Sequence, residues 1–232
     1  MFVAFTANNC YGQCNGSGDG IYANIANNCY GYCSGSGNGL IAFTANNCFG
    51  TCFGSGFGIY AFTANNCYAA STTGIGLDVS AGVATGCYGT SSGPGDGLDA
   101  TAANNCYGYC LGAGNGLNVS QTASSCYGYS GGNGTGVQAG VANTCSGYAN
   151  GSGSGISAIT AFNCAGSSVS GYGLYVTNNA ENCYGYPSQA GRNPACRAAT
   201  ADCFRWRAGK YDSVKCAAQW IAETPRRYFP AA

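Results

Sequence analysis

The chain alternates small or apolar positions with polar ones in short runs, and the runs recur. A unit reads approximately G-L-x-A-x-T-A-N-N-C-Y-G-Y-C-S-G-S-G-N. Two strand-like pieces fit inside it. One is the L-x-A-x-T-A stretch, as from Leu40 to Ala45. The other is C-Y-G-Y-C, as from Cys29 to Cys33. Alternation along an extended strand puts Cys29, Gly31 and Cys33 on one face and Tyr30 and Tyr32 on the other. Ala45 and Cys48 are an odd number of residues apart. If both point inward, a corner must separate them. Asn tolerates left-handed backbone, so Asn46-Asn47 is that corner. The second corner is the Gly-rich segment (SGDG, SGNG, SGFG, PGDG, AGNG). Glycine is expected there for its freedom to take positive φ.

The period is set by a cysteine column: Cys10, Cys29, Cys48, Cys67, Cys87, Cys106, Cys126, Cys145, Cys164 and Cys183, spaced 19 or 20 residues apart. Alanine stands three residues before each of them. Glycine stands two residues after all but Cys67, where Ala69 takes its place. An aromatic follows Cys directly in most units: Tyr11, Tyr30, Phe49, Tyr68, Tyr88, Tyr107, Tyr127 and Tyr184. A unit this short cannot bury a face alone, but stacked on its neighbours it can. The pattern predicts an all-β, single-stranded right-handed parallel β-helix of about ten coils of 19–20 residues, roughly 45–50 Å long. A left-handed β-helix is the alternative, disfavoured by the missing six-residue repeat. The solenoid is expected over residues 1–187, with a charged C-terminal tail over 188–232.

Units such as GLDATAANNCYGYC and QTASSCYGYSGG resemble the tandem repeats of bacterial right-handed parallel β-helix proteins. The resemblance covers about residues 1–187. It implies the fold and no agreed activity. The wider β-helix group includes pectin-active enzymes, phage tailspikes and adhesins; none of their catalytic motifs is present to carry over.

Composition narrows the function. Leu, Ile, Val and Phe make up only about one residue in seven, so a bulky aliphatic core is excluded. Glycine is abundant, but not at every third position, which excludes collagen. All eight basic residues lie at or after Arg192, and residues 1–180 carry only Asp19, Asp78, Asp96 and Asp99. Such a body cannot neutralise phosphates, so no nucleic-acid partner is expected. No apolar run is long enough for a membrane span. Acid–base catalysis needs convergent titratable groups, and there is no His at all. The expectation is therefore a protein that is not an enzyme.

The column cysteines read as a structural ladder of buried free thiols acting as small hydrophobes. A second column, four residues on, holds Cys14, Cys33, Cys52 and Cys110 but Ser71, Ser91, Ser130 and Ser168 elsewhere. Cys and Ser exchange there without loss of the first Cys, so a bridge within each coil is not required. No metal or cofactor is expected. Calcium at the Asp19 and Asp96 turns is the weaker reading, because Asn38, Phe57, Asn115 and Ser154 take the same position elsewhere.

Tyr30, Tyr32, Tyr107, Tyr109, Tyr127 and Tyr129 are expected to face outward as a contact stripe for a protein or glycan surface. The expected function is a structural or adhesive rod. A carbohydrate-binding or carbohydrate-processing β-helix is the alternative. Ice binding is a further one, resting on a column with Thr6, Thr44, Thr63, Thr122 and Thr160 that Ile25, Val83, Ala102 and Val141 interrupt. MFVAFTANNC enters mid-unit and has no basic n-region. An open strand edge is then expected, through which the chain continues in a longer solenoid or self-associates end to end. A cell-surface or extracellular location would need a signal outside this chain. SVKCAAQWIAE, with Ser213 as N-cap, reads as a helix capping the other end; the alternative is out-of-frame sequence.

Overall fold

The computed structural model describes residues 5–187, 196–197, 200–207 and 210–216, with side chains described for 5–186. It is a parallel β-solenoid of about ten coils, with no helix among the described residues. Each coil carries a long strand and a short one, as in Leu40–Asn46 and Phe49–Cys52. Long strands pair in parallel with long strands, so that Leu40 sits beside Ile59 and Ala45 beside Ala64. Short strands do the same, with Phe49 beside Tyr68 and Cys52 beside Ser71. Each residue therefore stacks on its counterpart one unit away, which is how a 19-residue piece acquires a core.

The interior is a set of columns. Ile21, Leu40, Ile59, Leu77, Leu98 and Leu117 form a fully buried aliphatic column, continued by Val137, Ile156 and Leu174. The Ala column (Ala26, Ala45, Ala64) and the Cys column (Cys29, Cys48, Cys67) pack against it. Leu40, Ala42 and Ala45 all point inward although their spacings are two and then three. The long strand is thus bent at Phe43, and that bend absorbs length variation. Leu77–Thr85 has nine residues and Leu117–Ser124 has eight where most coils have seven. The register shifts there and recovers, with Ala84 and Ala123 both in line with Ala103. The Cys67–Cys87 spacing of 20 shows only one of the two extra residues of Leu77–Thr85, because the glycine turn before Leu77 is one residue shorter than the one before Ile59.

The asparagine corner is where the sequence puts it. Asn9, Asn28, Asn47, Asn66, Asn105, Asn163 and Asn182 all have φ between 51° and 54°. Gly86, Ser125 and Thr144 take the remaining places with the same handedness. Only Asn and Asp among non-glycine residues visit this region routinely. The other Asn of each pair builds a side-chain ladder: Asn27, Asn46 and Asn65 each donate from Nδ2 to the Oδ1 of the preceding one at 2.9 Å.

The glycine turns differ from expectation. Gly86, at the asparagine corner, is the one glycine with positive φ among the described residues. The turn glycines are required by contact instead. A Cβ on Gly37 would lie on the Gly18 carbonyl oxygen, and one on Gly54 on that of Gly35. Backbone stacks directly on backbone in this turn, and only glycine permits it.

The sheet does not end with the repeat. Leu174 pairs with Cys196, and Ala180 and Cys183 pair in parallel with Ala201 and Cys203. Cys203 thereby takes the next register position of the cysteine column. Thr200–Arg207 then pairs antiparallel with Lys210–Cys216, Phe204 lying opposite Ser213. The helix expected from Ser213 does not begin there, since Ser213 to Cys216 are extended. The rest of that stretch lies outside the described residues, as does Met1, where the open edge was expected.

Candidate functional site

The two outward columns of the short strands carry the aromatic residues. In the first, Tyr11, Tyr30, Phe49, Tyr68, Tyr88, Tyr107 and Tyr127 form one uninterrupted stack. Successive ring centroids are 5.3, 4.8, 4.7, 5.0, 4.8 and 4.8 Å apart, with planes within 17° of parallel. The cause is the fold: in-register parallel strands repeat at about 4.8 Å, so identical side chains must stack. Ser146 and Ala165 end the stack, and Tyr184 stands beyond them.

The second column is shorter. Tyr109 stacks on Tyr129 at 4.6 Å, and Tyr129 on Tyr148 at 5.5 Å. Tyr107 and Tyr109 lie 6.5 Å apart, so the two stacks run side by side. Of the six expected stripe residues, Tyr30, Tyr107, Tyr109, Tyr127 and Tyr129 belong to these stacks. Tyr32 does not: its register neighbours are Gln13 and Thr51, and its ring tilts 45° against Phe53. Tyr68 and Tyr88 extend the stripe beyond those six, and counting the aromatic column through was the signal that finds them.

Stacking governs what the rings offer. Each face inside the stack is covered by the next ring, so edges and hydroxyls reach solvent. Tyr11 and Tyr30 are exposed (62 % and 37 %), while Tyr88, Tyr107 and Tyr127 are half-buried. Burial first, then the neighbouring phenols, pushes Tyr88, Tyr107 and Tyr127 above the usual tyrosine range.

Directly behind this column, on the inner face, lies the thiol ladder. All fourteen cysteines from Cys10 to Cys183 are free, twelve of them buried and only Cys10 and Cys14 half-buried. The thiols do more than fill space. Cys48 Sγ donates to Ala26 O and Asn46 O, both at 3.2 Å, and Cys145 Sγ to Ala123 O and Asn143 O, both at 3.3 Å. Burial pushes the thiols of Cys29, Cys33 and Cys110 up, so they stay protonated and can donate.

The carboxylates serve the turns. Asp19 Oδ1 accepts the Asn38 N–H at 3.0 Å, and Asp96 Oδ1 accepts the Asn115 N–H at 2.6 Å. Asn38 and Asn115 pass the arrangement on, each Oδ1 accepting the next coil's N–H at 2.8 Å. Asp78 is buried, accepts the Ser80 N–H, and stacks in register on Asp99. Burial first, then Asp78 and Asp96, pushes Asp99 up to about 6. Among the described residues no three acidic or thiol side chains converge as a metal site would require.

A second aromatic surface lies on the long strands. Phe43 and Phe62 stack at 4.9 Å, with Phe43 61 % exposed. Beside them the Tyr22, Ile41 and Tyr60 column runs on into Asp78 and Asp99. This column is therefore apolar over its first coils, acidic at Asp78 and Asp99, and polar without charge at Asn118, Gln138 and Ser157. No helix among the described residues is long and apolar enough to cross a membrane. No family model matches this chain, and neither the curated proteins nor the solved structures contain a match to it.

Proposed function

We propose that the chain is a non-enzymatic structural or adhesive rod whose stacked tyrosines are its contact stripe. The observation that carries this reading is the seven-ring stack from Tyr11 to Tyr127, which follows the solenoid axis across seven coils. Such a stripe is amphipathic along its whole length: ring edges give apolar area and hydroxyls give hydrogen bonds. Its rigidity reduces the ordering cost of binding.

Sugar recognition by aromatics uses open ring faces, and here neighbouring rings occupy them. This favours a protein contact over the carbohydrate alternative. Asp19 and Asp96 are engaged in turn hydrogen bonds, which favours a non-catalytic body. The threonine column is interrupted in register by Ile25, Val83, Ala102 and Val141, which does not favour ice binding.

The test compares the native protein with a Tyr88→Ala, Tyr107→Ala, Tyr109→Ala, Tyr129→Ala variant on protein-coated surfaces and on an oligosaccharide array. Retention on protein surfaces that drops in the variant supports the stripe. Glycan binding or glycan cleavage by the native chain would replace it with the carbohydrate reading.

A further inference from the structure

The stacked phenols are also arranged for a covalent reaction. We propose that the Tyr11–Tyr127 stack is an oxidative coupling site, at which a haem peroxidase with hydrogen peroxide joins two copies of this chain through dityrosine. The inference rests on the contact-stripe reading and names its partner, a second copy.

Four observations carry it. First, Tyr68, Tyr88, Tyr107 and Tyr127 are consecutive phenols with centroids 4.8–5.0 Å apart, and Tyr11 and Tyr30 form a further pair beyond Phe49. A phenoxyl radical formed on one ring can take an electron and a proton from its equivalent neighbour at no net cost. An oxidising event on any of the four consecutive phenols is then shared with Tyr68, the most exposed of them.

Second, along Tyr68–Tyr127 the competing groups are absent or shielded. Residues 5–187 hold no His, Trp or Met. The thiols that would quench a phenoxyl radical lie on the opposite face of the same strands. Cys87, Cys106 and Cys126 are buried, each one residue before Tyr88, Tyr107 or Tyr127.

Third, the stack directs coupling outward. A bond between two ring carbons ortho to the hydroxyls lies in the plane of both rings. Tyr68 and Tyr88 are 2° from parallel at 5.0 Å, so coupling within the stack would have to break it. The edges, which carry those ortho carbons, face solvent, where a second molecule can reach them. Fourth, from Met1 to Ala180 the chain carries four Asp and no basic side chain, so charge opposes the side-by-side approach of two such bodies only weakly.

The chemistry balances. Each of two phenols gives up one electron and one proton to the oxidised haem. The radicals join carbon to carbon, and the hydrogens on those carbons move to restore the two hydroxyls. Hydrogen peroxide accepts the two electrons and two protons and leaves as two waters.

The experiment treats the full chain with horseradish peroxidase and hydrogen peroxide. It reads dityrosine fluorescence and covalent oligomers on denaturing gels run with reductant. The native chain is expected to give both, with a yield that rises with protein concentration. A Tyr11→Phe, Tyr30→Phe, Tyr68→Phe, Tyr88→Phe, Tyr107→Phe, Tyr127→Phe variant is expected to lose most of the product. Phe49 already occupies the stack at 4.8 and 4.7 Å from its neighbours, so these replacements keep the packing. A Tyr22→Phe, Tyr32→Phe, Tyr60→Phe variant, altered off the stack, is expected to react as the native chain does. Equal yield from the stack variant, dityrosine confined to monomers, or no dityrosine would each overturn the proposal. Surface retention of the Phe variant is measured in parallel: retention without coupling leaves the contact stripe standing, and retention undiminished in the alanine variant removes it.

Discussion

Cys52 Sγ donates a hydrogen bond to the Gly37 carbonyl oxygen at 3.2 Å, reaching back across the coil into the glycine turn. Ser71 Oγ makes the same bond to Gly56 at 2.7 Å, and Ser168 Oγ to Gly153 at 2.6 Å. This explains why Cys and Ser exchange at most positions of the second column: both are small donors that reach the turn carbonyl, while Ala149 holds its place there by packing alone. Cys52→Ser should therefore leave stability within about 0.5 kcal/mol, whereas Cys52→Ala should cost about 1–2 kcal/mol by leaving the acceptor unpaired. Urea denaturation of the two variants checks this; equal loss in both would show that packing alone matters.

The left-handed corners are not equally comfortable. Thr144 has φ 54° although it is β-branched, and Ser125 has φ 53°. Thr144→Asn should raise stability by about 1 kcal/mol, and Asn47→Val should lower it by about 1–2 kcal/mol. Thermal melts of the two variants give opposite shifts on this account.

Asp99 makes the fold pH-dependent. Its carboxyl is pushed up to about 6, by burial and then by Asp78 stacked beside it. A raised folded value favours the protonated form. The stabilisation is complete below the unfolded value of about 4 and lost as pH rises through about 6. The site is partly open to solvent, so the expected gain on acidification from pH 7.5 to 4.5 is about 1 kcal/mol or less. Asp99→Asn should flatten the melting temperature across that window; an unchanged pH profile in the variant would assign the effect elsewhere.

Thiol access should follow position in the column. Cys10 and Cys14 are half-buried, and the other twelve cysteines as far as Cys183 are buried. Alkylation of the native protein followed by peptide mass spectrometry should label those two quickly. The twelve should react only as fast as the coils open. Uniform fast labelling would contradict the closed ladder.

Phenol titration gives the matching check on the outer column. Tyr88, Tyr107, Tyr127 and Tyr129 are pushed above the ordinary value by burial and by one another. The folded chain should show a late ionising phase above pH ~10 that the unfolded chain lacks. The associated stability is present below that pH and lost as it rises. Tyr88→Phe with Tyr107→Phe should shrink the late phase.

Much of this was legible along the chain. The alternation in Cys29–Cys33 determined which side chains face in, because strand geometry is local. The Asn46-Asn47 corner was equally local, since Asn accepts left-handed backbone and φ is 51° at Asn47. The cysteine spacing determined the coil and its count. What the chain could not show by itself depends on contacts between coils. The turn glycines are needed because backbone lies on backbone, as Gly37 does on Gly18, and not for positive φ. The extra residues of Leu77–Thr85 bulge outward because the buried Leu77 and Ala84 are held in register by Leu98 and Ala103. Tyr32 lies outside the stacks because its neighbours in adjacent coils are Gln13 and Thr51. Lys210–Cys216 is a strand because Thr200–Arg207 offers it an edge, which outweighs a helix-like pattern. Local preference decides how a coil turns; only the stacking of coils decides what each turn must tolerate.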